Sequence, residues 1–160
     1  NIINLQNPKN YVSLGADIPS FLYKKNCLML GIGEKLYPLN FPKYYFLLVK
    51  PNFENSTKEM YNKLNCENQI INKSYKLDEK IISANDIGND FEKIVLKKNN
   101  NFKSIFNYLE SIDNVINVRL TGTGSCCFGV FEKYEYAKKA NELFKQKFQS
   151  LWTYIAQNNI

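Results

Sequence analysis

Apolar runs of strand length recur along the chain and predict β-strands wherever turn residues bound them. Six such runs lie at residues 27–32, 34–39, 44–49, 115–120, 126–131 and 151–155. The first two flank Gly33 and predict a hairpin, and the third ends before Pro51. The fourth and fifth enclose a short glycine-containing loop. The pattern therefore predicts a protein that is rich in antiparallel β-structure.

Apolar positions three and four residues apart predict helices between these strands. Helices are expected at residues 12–23, at 58–64 behind the N-cap Ser56, from Asn89 or Asp90 to about 98, and at 102–112 and 134–148. The fourth helix has an apolar face made of Phe102, Ile105, Phe106 and Leu109. The last helix has one made of Ala137, Ala140, Leu143, Phe144 and Phe148. The polar residues 65–84 predict a loop.

From residue 44 onward the predicted order is β, helices, β, β, α, β. This is a split βαβ order, which indicates an α+β, ferredoxin-like fold with an antiparallel sheet and helices on one face. Non-catalytic binding and regulatory domains share this order with enzymes. Fold class alone therefore leaves both kinds of function open.

Composition restricts the partners that we expect. The net charge is +6, but all basic residues except Arg119 are lysines, and they are scattered along the chain. We therefore expect no nucleic-acid partner. No apolar run is long enough to cross a membrane, so we expect no membrane partner either.

The cysteines also argue against metal chemistry. Cys27, Cys66, Cys126 and Cys127 lack the spacing of metal ligands, and the chain contains no histidine. These features argue against a zinc site and against Ser-His or Cys-His catalysis. They agree with a reducing, cytoplasmic location.

Two short strings carry the candidate chemistry. The loop of Gly122, Thr123, Gly124 and Ser125 allows backbone N–H groups to approach an anion, although a plain hairpin turn has the same composition. Asp17 stands between Gly15 and Pro19 at the predicted start of a helix. Its carboxylate is either a catalytic group beside an acceptor hydroxyl or a structural N-cap.

Six stretches together resemble, in the right order, motifs of the GHMP small-molecule kinases. They lie at residues 15–19, 31–39, 49–52, 56–57, 89–92 and 119–124. The resemblance runs from about residue 10 to about residue 148. It implies that residues 1–25 are the tail end of the kinase N-terminal domain carrying the catalytic Asp17. Residues 26–160 would be the GHMP kinase C-terminal domain.

The resemblance also implies an activity, namely ATP-dependent phosphorylation with Mg²⁺ as cofactor. Within the family, the motifs are most similar to those of members acting in non-mevalonate isoprenoid precursor synthesis. Their acceptor is the C2 hydroxyl of a cytidine diphosphate-linked methylerythritol. We expect a transferase of bacterial cytoplasm, or of a plastid, that is a monomer or weak dimer.

The resemblance assigns roles to further residues. Thr57 and Tyr61 would line the cytidine pocket, and the glycine loop would contact the substrate diphosphate or support the ATP loop. A capping hydroxyl and a core tyrosine are the alternative for the first pair. Asn89 and Asp90 are interpreted as helix caps, and residues 31–34 as structural.

One expected part of the family pattern is missing. Family members carry a catalytic lysine and a glycine- and serine-rich ATP loop in their first half, and neither is found in this chain. We therefore expect the chain to be a C-terminal fragment that is inactive in isolation and needs the N-terminal half of the same protein.

Overall fold

The computed structural model describes residues 9–64 and 88–158. The predicted loop at residues 65–84 lies outside the described residues. Among the described residues no helix is long and apolar enough to cross a membrane. In chain order the elements are α1 (Lys9–Val12), α2 (Ile18–Tyr23), β1 (Cys27–Leu30), β2 (Lys35–Pro38), β3 (Tyr45–Lys50), α3 (Thr57–Lys63), α4 (Glu92–Lys98), α5 (Asn100–Glu110), β4 (Asn117–Leu120), β5 (Cys127–Phe131), α6 (Tyr134–Lys147) and β6 (Trp152–Gln157).

The described residues form two compact units. The first contains residues 9–43 and Asn158, and the second contains residues 44–64 and 88–157. The hairpin of β1 and β2 belongs to the first unit, where it forms a two-stranded sheet of its own. The boundary between the units therefore follows residue 43, whereas the sequence-based division follows residue 25.

The second unit is built on a four-stranded sheet with the order β4-β5-β3-β6. Every neighbouring pair is antiparallel, with Leu47 opposite Gly129 on one side and Ile155 on the other. The first strand of the unit thus lies between the third and the fourth, as in a split βαβ fold. The predicted α+β, ferredoxin-like class with an antiparallel sheet is confirmed.

The core of the second unit lies between this sheet and the helices. Leu47 and Val49 alternate inward along β3 and are fully buried. The predicted apolar face of α5 is entirely buried. From α6, Ala137, Ala140 and Phe144 are buried, while Leu143 and Phe148 pack partly exposed against the core. The helical periodicities therefore identified the residues that form the core.

Several predicted helix boundaries were wrong, and among them α4 begins at Glu92 instead of Asn89 or Asp90. The helix expected over residues 12–23 is broken between α1 and α2, because Pro19 has no N–H and is compatible only with the first turn of a helix. The helix expected from Phe102 begins two residues earlier, because the Asn99 side chain accepts the Phe102 N–H at 2.9 Å and caps it.

Candidate functional site

The glycine loop, residues 121–126, joins β4 to β5 and forms a closed turn. The Thr121 N–H donates to the Cys126 carbonyl at 2.9 Å, and the Gly124 N–H donates to the Thr121 carbonyl at 2.9 Å. Gly122 has a φ of 50° and Gly124 a φ of 83°. Both values lie in the left-handed region that glycine adopts without strain. The backbone conformation therefore requires glycine at both positions, whether or not the loop binds a ligand.

Two asparagine side chains hold the loop from outside. Asn89 Nδ2 donates to the carbonyls of Leu120 and Gly122, each at 2.8 Å. Asn55 Nδ2 donates to the Thr123 carbonyl at 3.1 Å. Asn89 and Asp90 were predicted to be helix caps, but the N-cap of α4 is Phe91, and the Asn89 Oδ1 accepts the Phe91 N–H at 2.9 Å in the turn before the helix. Neither the contact of Asn89 with the loop nor that of Asn55 was predicted from the sequence.

Glu92 completes the attachment of β4 to α4. Its Oε2 accepts the Leu120 N–H at 3.0 Å, and its Oε1 lies 3.5 Å from Arg119 Nη1. Both of these charged side chains are mostly buried. Asn89 and Glu92 together satisfy the outward N–H and C=O of Leu120, as a neighbouring strand would do. The spacing of an Asn and a Glu three residues apart was the available sequence signal.

These anchors determine which way the remaining N–H groups of the loop point. In a planar trans peptide the C=O and the following N–H point in opposite directions. Because the Gly122 carbonyl points at Asn89, the Thr123 N–H points away from α4. Among the described residues this N–H has no protein acceptor. An alanine Cβ at Gly122 would meet no atom within 4 Å. The loop therefore presents an open donor beside open space.

Helix α3 brings the predicted pair Thr57 and Tyr61 to the same surface. Ser56 is the N-cap, accepting the Glu59 N–H at 3.4 Å as predicted, so Thr57 is not the capping residue. The Thr57 hydroxyl lies 3.4 Å from the Thr123 hydroxyl. Tyr61 is 57% exposed, so it is not a core tyrosine. Its ring meets Phe91 edge-on, with centroids 5.0 Å apart.

Asp17 lies in the first unit, directly before α2. Its side chain is exposed and makes no capping hydrogen bond, although the residue occupies the N-cap position. Its backbone carbonyl accepts the Ser20 hydroxyl at 2.8 Å. The structural alternative, in which the carboxylate caps the helix, is therefore not what this unit adopts.

The hairpin turn of the first unit packs on the residue before Asp17. Gly33 has a φ of 101°, and a Cβ at this position would collide with the Ala16 carbonyl oxygen. The Glu34 carboxylate accepts the Ile32 N–H at 2.7 Å and stabilises the turn from within. The stretch of residues 31–34 therefore has a structural role, and part of that role is to support the Asp17 backbone.

The described cysteines are buried or half-buried thiols, and burial raises the pKa of each. Burial raises the pKa of the Cys127 thiol strongly, and the neighbouring Cys126 and Glu92 raise it further. Burial also raises the pKa of Cys126, against a smaller lowering by a hydrogen bond at Val49 and by Lys50. Among the residues that the structure describes, no group of three His, Cys, Asp or Glu side chains could hold a metal ion.

Comparison with known proteins gives this geometry its context. The family model described as "GHMP kinases C terminal" matches residues 70–149. The chain is 32% identical to the 4-diphosphocytidyl-2-C-methyl-D-erythritol kinase of Buchnera aphidicola, over 86% of this chain and 45% of that protein. The enzymes of the same name from Wigglesworthia glossinidia and Francisella philomiragia are 37% and 38% identical, over 80% and 72% of this chain. The chain spans less than half the length of each of these relatives.

Solved structures agree on the fold. A crystal structure of 4-(cytidine 5'-diphospho)-2C-methyl-D-erythritol kinase matches with a TM-score of 0.71 and 19% identity, covering 96% of this chain and 57% of that one. A homoserine kinase from Cytophaga hutchinsonii matches with a TM-score of 0.59 and 14% identity, covering 99% and 60%. The resemblance drawn from the motifs is confirmed, and the chain belongs to the GHMP kinase family through its C-terminal domain.

Proposed function

We propose that the protein containing this chain transfers the γ-phosphoryl group of ATP to the C2 hydroxyl of 4-diphosphocytidyl-2-C-methyl-D-erythritol. The observation that carries the proposal is the single surface formed by α3 and the glycine loop. On it, Thr57 and the exposed Tyr61 lie one helical turn apart, and the Thr57 hydroxyl lies 3.4 Å from the Thr123 hydroxyl. The names of the relatives identify the acceptor class that such a surface would bind.

The base-binding end of this surface would be Tyr61. The Tyr61 ring packs T-shaped against Phe91 and is 57% exposed, so it is accessible to a flat partner, and stacking on a nucleobase contributes about 1–3 kcal/mol. The Thr57 hydroxyl can donate or accept a hydrogen bond, so it suits the polar edge of cytosine or the ribose. These features support cytidine recognition.

The phosphate-binding end would be the glycine loop. The Thr123 N–H faces away from Asn89, and Gly122 allows a ligand to approach the backbone closely. A fixed N–H donor without a side chain in front of it suits an oxygen of the substrate diphosphate. The basic charge balance of the chain would assist binding of such an anion.

Asp17 would act at the acceptor hydroxyl. In the proposed step the hydroxyl oxygen forms a bond to the γ-phosphorus and the bond to the β,γ-bridging oxygen of ATP breaks, so that ADP leaves. The exposed carboxylate would take the hydroxyl proton or hold the hydroxyl in line, and catalysis would rest mainly on positioning. ATP would be bound largely by parts of the protein outside this chain, since the match covers only 45% of the Buchnera relative. We assign no Mg²⁺ ligand here, because the described residues offer no such cluster.

The test is ADP release by the full-length gene product with Mg-ATP and each of three acceptors. We expect turnover with 4-diphosphocytidyl-2-C-methyl-D-erythritol and none with homoserine or mevalonate, which are the acceptors of other members of the family. Turnover with homoserine alone would show that the proposed acceptor is wrong and would assign the protein to another branch of the family. Failure with all three would favour the alternative of a non-catalytic ferredoxin-like binding or regulatory domain.

A further inference from the structure

We infer that Asn89 is a positioning residue for phosphoryl transfer, which shapes the glycine loop for the acceptor without touching it. The inference rests on the proposed function, because it assigns to Asn89 the loop geometry that the acceptor meets. Asn89 joins three structures through one side chain, namely the end of β4, the glycine loop and the first turn of α4.

The geometry uses every polar atom of the amide. The two hydrogens on Nδ2 go to the carbonyls of Leu120 and Gly122, both at 2.8 Å, and Oδ1 accepts the Phe91 N–H at 2.9 Å. Only an amide supplies two donors and an acceptor at this length. An aspartate has nearly the same shape and is an equally good helix cap, but its carboxylate has no hydrogen to donate.

The consequence for the ligand follows from the planarity of the peptide. The hydrogen bond to the Gly122 carbonyl orients the peptide that carries the Thr123 N–H, an open donor of the loop. Asn55 fixes the next peptide through the Thr123 carbonyl, and the Gly124 N–H is already used within the turn. Asn89 therefore determines the direction of the donor that the acceptor diphosphate would meet.

A matched control exists in the same unit. Asn99 is the N-cap of α5, and its Oδ1 accepts the Phe102 N–H at 2.9 Å, the same length as the bond from the Phe91 N–H to the Asn89 Oδ1. Both asparagines are half-buried, and among the described residues the side chain of Asn99 makes only this cap. Asn99→Asp thus reproduces the change in charge and the retained Oδ1 acceptor of Asn89→Asp without disturbing the loop.

The experiment compares Asn89→Asp and Asn99→Asp in the full-length protein by two measurements. The first is steady-state kinetics with 4-diphosphocytidyl-2-C-methyl-D-erythritol as acceptor. We expect Asn89→Asp to raise the acceptor KM by about 10- to 100-fold, with a smaller change in the KM for ATP. Asn99→Asp should leave both values within about twofold of the native ones. A purely structural role of Asn89 would lower stability without this selective rise.

The second measurement is hydrogen–deuterium exchange of peptides covering residues 118–127 without any ligand. Asn89→Asp should accelerate exchange of the Thr121 and Gly124 amides by about tenfold or more, because the hydrogen bonds from Asn89 to the Leu120 and Gly122 carbonyls are lost. Equal loop exchange and equal acceptor KM in the two variants would overturn the inference. If the native protein fails to turn over the cytidyl acceptor, the proposed function is lost, and the exchange comparison alone decides whether Asn89 shapes the loop.

Discussion

Alanine substitutions at Gly122 and Gly124 would separate a ligand-binding loop from a loop that only turns the chain. Both glycines have positive φ, so each alanine meets backbone strain of about 1–2 kcal/mol. Their surroundings differ. A Cβ at Gly122 meets nothing within 4 Å, whereas a Cβ at Gly124 lies 2.9 Å from both Asn55 Nδ2 and Leu120 Cδ1.

The structure therefore predicts different effects on stability. At Gly122, the strain is partly offset by the smaller conformational entropy of the unfolded alanine variant, about 0.4–1 kcal/mol, so the free energy of unfolding should fall by about 1 kcal/mol or less. At Gly124, crowding adds about 1–3 kcal/mol, and displacing Asn55 costs about 1 kcal/mol more through its bond to the Thr123 carbonyl. The expected loss there is about 3–5 kcal/mol.

Gly122→Ala should affect ligand binding more selectively than Gly124→Ala does. A methyl group at Gly122 enters open space next to the peptide that carries the Thr123 N–H, so we expect Gly122→Ala to raise the acceptor KM about tenfold in a protein of nearly native stability. Gly124→Ala should raise KM only together with a large loss of stability. This makes Gly122→Ala the more informative variant.

The assays are urea-induced unfolding followed by circular dichroism, and acceptor titration in the ADP-release assay, with the full-length protein. A native acceptor KM in Gly122→Ala would refute the reasoning, since the loop would then be only a turn. Equal destabilisation by both alanines would refute the packing argument for Gly124.

Four further outcomes are expected. Asp17→Asn in the full-length protein should lower kcat by about 10²- to 10⁴-fold in steady-state kinetics. Unchanged turnover would contradict a catalytic role of Asp17. Tyr61→Ala should weaken CMP binding in calorimetric titration by about 5- to 100-fold. The free energy of unfolding should change little, because the ring is 57% exposed. Native affinity for CMP would favour a structural role of Tyr61. Gly33→Ala should lower the free energy of unfolding by about 2 kcal/mol or more in thermal melts, because the new Cβ collides with the Ala16 carbonyl. A native melting temperature would contradict this contact. Cys127 should resist iodoacetamide at pH 8.5 until denaturant is added, as peptide mapping would show, because burial raises its pKa. Since its pKa is higher in the folded state, its contribution to stability is constant below about pH 8.5 and falls as the pH rises further.

Several parts of this protein could be predicted from local patterns. The apolar faces of α5 and α6 and the strands on both sides of the glycine loop follow from periodicity, and the Ser56 cap follows from its spacing to Glu59. These features arise from contacts between residues that are close along the chain, and such contacts leave a readable spacing. The family motifs, read in order, added the expected activity.

Tertiary structure alone decided how the candidate site is held together. Asn55 lies 68 positions from Thr123, and Asn89 lies 33 positions from Gly122, so no local spacing links them. Tyr61 is exposed only because α3 turns Met60 toward the core, and Asp17 is not a capping group because its carboxylate makes no bond to α2. The sequence determined the elements, the core and the family, because these depend on local periodicity and on motifs. The direction of the loop donors depends on side chains that reach the loop only after the sheet and helices have packed.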